Sequence, residues 1–94
     1  MADYALTALA RSDLASIFLY SETEWGTDRA DAYLRHLFDV FAHLAEYPDA
    51  GRQRPDISDR IRAHTTRMHT IFYTRQPDRI AIARVLHVAQ DTNI

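Results

Sequence analysis

Arg62, His64, Arg67, His69, Tyr73, Arg84 and His87 crowd the second half of this 94-residue sequence. Side chains of these types can cleave RNA through its 2′-hydroxyl, a reaction that needs a general base, a general acid and cations on the phosphate. Alternation limits how many of them converge: on an extended segment His69, Ile71 and Tyr73 share one face, and Met68, Thr70 and Phe72 the other. A structural hydrogen bond explains each His or Tyr equally well. A second cluster, His36, Asp39 and His43, has helical spacing suited to metal ligation. It lies opposite the Leu37, Phe38 and Phe41 stripe, so it is expected to face solvent, without the dry shell that closes a coordination sphere. The sequence has no cysteine, no Gly-rich phosphate loop and no HExxH or Ser/His/Asp ordering. Neither a metal nor a cofactor is therefore expected.

The elements that must position these residues follow from periodicity. Tyr4 to Leu6 read as a short strand, and Thr7 as the cap of a helix starting at Ala8. On that helix Ala10, Leu14, Ile17, Phe18, Ser21 and Trp25 form the expected buried stripe, and Gly26 breaks it. Leu9, Leu19 and Tyr20 lie off the stripe. Either a second layer covers them or they are isolated exposed apolar residues. Thr27 is expected to cap a second helix, on which Ala30, Tyr33, Leu34, Leu37, Phe38, Phe41, Leu44 and Ala45 keep the 3.6-residue period. Pro48, Gly51 and Pro55 punctuate a loop with no expected regular element. The period then falls to two over Arg60 to Thr65, Met68 to Arg75 and Arg79 to His87, three strands, the last two joined by a turn at Gln76-Pro77-Asp78-Arg79. Either Ile80 and Ile82 or Ala81, Ala83 and Val85 face the helices; the pattern leaves both open. The order is β-α-α-β-β-β, an α+β fold with a helical hairpin on a small antiparallel sheet, expected as one domain over residues 1–94.

Composition agrees with a folded chain: 47% hydrophobic, 26% charged, two Gly and three Pro. No apolar run reaches the roughly 18 residues of a membrane span, and the start lacks a basic-then-apolar export signal, so a cytoplasmic protein without membrane contact is expected. The net charge of −2 conceals an asymmetry. Residues 1–50 carry three Arg against nine acids, and residues 51–94 carry eight Arg against four Asp. The basic half either steers an acidic partner or neutralises the acidic half within the fold.

Tyr4-Ala5-Leu6-Thr7, Asp13-Leu14 with Ile17, the Trp25-Gly26 pair with Ala30 and Tyr33, LAEYPDAGR, Arg62, HTIFY and the closing RVLHVAQD, taken in order, resemble the ParE branch of the RelE/ParE toxin superfamily. The resemblance spans nearly the whole chain and implies a microbial-RNase-like α+β fold, in agreement with the element order. It also implies the toxin of a type II toxin-antitoxin module, silenced in a hetero-oligomer by a ParD-like antitoxin. The ParE branch poisons DNA gyrase, whereas the RelE branch cleaves messenger RNA on the ribosome. This sequence has no lysine, and Leu86-His87-Val88 stands where the RelE pattern closes its last strand with a His-Tyr pair. Gyrase inhibition without catalysis is therefore expected over endoribonuclease activity. On this reading Arg84 and His87, with His69 and Tyr73, belong to the target surface, and Leu9, Leu19, Tyr20 and Arg62 to antitoxin docking. No helix of the basic half could enter a DNA groove, so direct nucleic-acid binding by the chain alone is not expected.

Overall fold

Thr7 shows how the chain starts its fold. In the computed structural model, which describes residues 3–93, its backbone is extended and its hydroxyl accepts the Ala10 N–H at 3.1 Å. The same hydroxyl donates to the Ala83 carbonyl at 2.9 Å, so one side chain both caps a helix and ties it to a distant strand. Before it lies β1 (Tyr4–Leu6), and after it α1 (Ala8–Trp25). At Gly26 φ is +89°, a backbone state that glycine adopts without steric cost, and the chain reverses there into α2 (Thr27–Glu46). The second cap differs from the expected one. Gly26 is the N-cap of α2, and Thr27 sits inside the first turn with its hydroxyl turned back to Glu22 Oε2 at 3.1 Å. The reversal is too tight to leave Thr27 outside the helix.

Four strands follow: β2 (Arg52–Gln53), β3 (Ile61–Thr66), β4 (His69–Arg75) and β5 (Ile80–His87), and a 3-10 helix (Val88–Asn93) closes the described chain. The sheet order is β1-β5-β4-β3-β2. β3, β4 and β5 form the expected antiparallel meander. Two features depart from the expected sheet. β1 runs parallel to β5, with Tyr4 opposite Ile80 and Leu6 opposite Ile82, because the helical hairpin intervenes as a crossover. The loop also contributes β2, where Arg52 opposes Ala63 and Gln53 opposes Arg62, a bridge too short to carry an alternating pattern.

The helices cover one sheet face. Ala10, Leu14 and Ile17 of α1 and Tyr33, Leu37, Phe41 and Leu44 of α2 pack on Ile71, Tyr73, Ile80, Ile82 and Val85. This resolves the open choice of strand face in an unforeseen way. The β4/β5 register shifts between Phe72, which faces Arg84, and Tyr73, which faces Ile82, leaving Ala83 as an extra residue. The bulge reverses the phase of alternation and puts Val85 on the same side as Ile80 and Ile82. On the far face Ala63, Phe72 and Leu86 form a smaller core with Ile57 and Ile61. Arg54 closes it, with its guanidinium 5.7 Å from the Phe72 ring centre, forked onto Asp56 and bonded to Asp91 at 3.2 Å. Three expected core residues lie outside: Phe18 is half-buried, and Trp25 and Phe38 are exposed. Trp25 stands at the end of α1, and Phe38 lies edge-on against Phe41 at the rim of the stripe.

Candidate functional site

The two-residue turn between β3 and β4 places Arg67 at φ +52° and delivers His69 to the start of β4, directly opposite His87 at the end of β5. Their rings meet edge to face, with centroids 5.7 Å apart. α2 supplies the third member: the Tyr33 hydroxyl and His69 Nδ1 lie 2.6 Å apart in the interior. His87 Nδ1 accepts the Ala89 N–H at 3.1 Å. Burial, reinforced by the neighbouring His87, lowers the His69 pKa to about 4, so the buried imidazole is neutral at physiological pH. Burial likewise raises the Tyr33 pKa and keeps its phenol protonated.

The histidine pair forms one wall of an open cavity of about 530 Å³. Tyr20, Trp25 and Ile17 of α1 and Met68 of the β3–β4 turn supply its apolar surface, and Ser16, Ser21 and Gln90 its polar rim. Tyr20 and Trp25 stand edge to face at 6.0 Å. A second cavity of about 350 Å³ shares Trp25 and Met68 and adds Arg29, Ala32, Tyr33 and Arg67.

The structure brings together some of the residues singled out by sequence and separates others. His69, His87 and Tyr20 meet in the cavity. Leu9 and Leu19 are exposed on α1, 59% and 62%, and line none of these cavities. Arg84 is held by Asp13 of α1 in a two-pronged ion pair, at 2.8 and 2.9 Å, with little of either side chain exposed. Arg62 is turned inward, donating to the Gly51 carbonyl at 2.7 Å and pairing with Asp49 at 3.4 Å. Tyr73 has no exposed surface. Its hydroxyl accepts the Gly51 N–H and donates to the Pro48 carbonyl, both at 2.8 Å. That placement corrects its reading as target surface: Tyr73 bolts the loop after α2 to the sheet. A Cβ at position 51 would fall within 2.7 Å of the Tyr73 ring, which accounts for glycine there.

The His36 cluster is also placed differently. His36 is half-buried and its Nε2 lies 2.7 Å from Thr66 Oγ1, so it faces β3 instead of solvent. Asp39 is exposed, and among the described residues no group of three His, Asp or Glu is set to hold a metal. The arginines do not gather into a cationic platform. Arg54, Arg62, Arg75, Arg79 and Arg84 all lie in ion pairs with Asp. Of the two readings of the charge asymmetry, neutralisation of the acidic half accounts for Arg62, Arg75 and Arg84, which pair with Asp49 and Asp13, while Arg54 and Arg79 pair with acids of the basic half itself.

Sequence reasoning missed Tyr33, Trp25, Met68 and Arg29. Tyr33 was readable only as a core residue, although a phenol on a core stripe needs a polar partner, and His69 is one. His69 Nδ1 is already bound to Tyr33, and no Arg or carboxylate side chain among the described residues hydrogen-bonds to either imidazole of the pair.

Comparison with known proteins places the chain. Residues 4–92 match the family model described as the ParE toxin of the type II toxin-antitoxin system parDE. A protein named Toxin ParE1 from Caulobacter vibrioides is 36% identical over 87 residues, 93% of this chain and 90% of that protein. Another Toxin ParE1, from Mycobacterium tuberculosis, is 32% identical over 91 residues, 96% of this chain and 93% of that protein. A solved structure described as a chromosomal ParDE TA system from P. aeruginosa superposes with a TM-score of 0.80 at 20% identity, covering 94% of this chain and 97% of that one, a likeness of fold.

Proposed function

This chain belongs to the ParE toxin family of type II toxin-antitoxin systems, and from that premise we propose that it arrests growth by binding and inhibiting DNA gyrase until a ParD-like antitoxin covers it. The observation that carries this reading is the extent of the family match, which runs from β1 into the closing 3-10 helix. No helix among the described residues is long and apolar enough to cross a membrane, which suits a toxin acting where gyrase works.

Side-chain geometry favours an inhibitor over an endoribonuclease. Phosphoryl chemistry of the RelE kind needs a free cation beside an accessible acid and base. Here Arg84 is bound to Asp13, Tyr73 is buried, His69 is engaged with Tyr33, and Arg29 and Arg67, unpaired among the described residues, line the smaller cavity and not the one lined by His87. The exposed apolar residues of α1, Leu9, Leu19 and Tyr20, support the partner half of the proposal. An antitoxin tail unfolded on its own gains order by burying such anchors as it lies over the helix.

Induction of the chain alone in a bacterial host is expected to stop colony growth, and co-expression of the adjacent small gene to restore it. Normal growth without that gene, with the chain soluble and present, would count against a toxin.

A further inference from the structure

The two cavities at the hairpin end of the molecule share Trp25 and Met68 as a common wall, and their charge is one-sided. Arg29 and Arg67 line the smaller one, and neither joins an ion pair among the described residues, unlike Arg54, Arg62, Arg75, Arg79 and Arg84. The Arg29 guanidinium stands 6.0 Å from the Trp25 ring centre, and Arg67 projects from the turn set by its positive φ. In a chain with 13 Asp and Glu, no carboxylate lines either cavity. The larger cavity is apolar, walled by Tyr20, Trp25 and Met68, with His87 at its edge.

The geometry points to a binding groove for a partner-protein segment that seats one bulky apolar side chain between Tyr20, Trp25 and Met68 and sets adjacent carboxylates against Arg29 and Arg67. The apolar anchor supplies affinity, and the two guanidinium groups fix direction and reject basic segments. This assignment does not depend on gyrase being the target, and peptides test it apart from toxicity.

Trp25 is the only tryptophan in the chain, so its emission reports on this groove alone. Random peptides displayed against the full chain are expected to enrich for Leu, Met or an aromatic residue flanked by Asp or Glu. Titration with an enriched peptide should shift Trp25 emission saturably. The Arg29→Gln/Arg67→Asn double variant should weaken binding roughly five- to tenfold. Asn suits the positive φ at position 67, and unchanged far-UV circular dichroism will establish that this variant folds. Tyr20→Ala should weaken the same peptide by a similar factor. Several results would overturn the assignment: no enrichment, a basic or uncharged consensus, binding that leaves Trp25 emission unmoved, or full affinity in the double variant. A single-stranded oligonucleotide that shifts the emission at lower concentration than the peptide would also overturn it.

Discussion

Asp13 performs three bonds with one carboxylate: it receives Arg84 Nε and Nη2 and also the Val85 backbone N–H at 2.9 Å. β1 pairs with β5 only as far as Leu6 opposite Ile82. Beyond that point β5 has an open edge, and Asp13 closes part of it from α1. Asp13→Ala strands a guanidinium and a backbone donor together, so urea unfolding should show a loss of about 2–3 kcal/mol. Asp13→Asn, which can still accept the Val85 N–H, should lose less. Tyr73→Phe removes both loop bonds and should cost about 1–2 kcal/mol by the same assay. His69 makes stability depend on pH. Its folded pKa of about 4 lies below the unfolded value of 6.5, so the unfolded chain binds more protons between the two. Its contribution, up to about 3 kcal/mol, is full above the unfolded pKa and disappears as pH falls toward the folded one. His36 and His64 are lowered by burial too and add to the same slope. His69→Gln should flatten the stability profile between pH 7 and pH 4; an unchanged slope would show that another group carries it.

At the scale of elements, α1 carries two kinds of leucine. Leu14 is buried between the second helix and the sheet, whereas Leu19 is 62% exposed. Leu14→Ala should cost about 2–4 kcal/mol, and Leu19→Gln should stay within about 0.5 kcal/mol. If Leu19, Leu9 and Tyr20 serve a partner, their polar variants should keep the wild-type melting temperature and lose antitoxin protection in the growth assay. The same contrast shows what sequence can and cannot reveal. Both helices were legible because their apolar residues recur at 3.6 over many turns, and β3, β4 and β5 were legible to within a residue at each end. β2 was not, because two residues hold no period. The parallel pairing of β1 depends on a contact some 76 residues away, as in Tyr4 opposite Ile80, and the bulge at Ala83 cannot be seen in one strand alone. The site suffered more than the fold. His69, His87 and Tyr20 were recognised as types, but Arg84 and Arg62 had their use decided by Asp13 and Asp49, partners that no local pattern announces.

Over the whole molecule, the acidic first half and basic second half interlock: Asp13 with Arg84, and Asp49 with both Arg62 and Arg75. Three of the eight arginines after position 50 are paired this way and two more, Arg54 and Arg79, pair with acids of their own half, so the protein does not present the concentrated cationic face that duplex DNA requires. A gel shift with duplex DNA at physiological salt should accordingly show no complex with the chain alone. An apolar helix surface and a groove lined by two guanidinium groups outside any ion pair among the described residues are features suited to protein partners. Inhibition of gyrase is the central claim, and a supercoiling reaction with purified gyrase, relaxed plasmid and the chain tests it directly. Stoichiometric chain should stop supercoiling and accumulate linear, gyrase-linked DNA, while messages on programmed ribosomes stay intact. Full supercoiling at a large excess of folded chain, or site-specific cleavage of those messages, would contradict it.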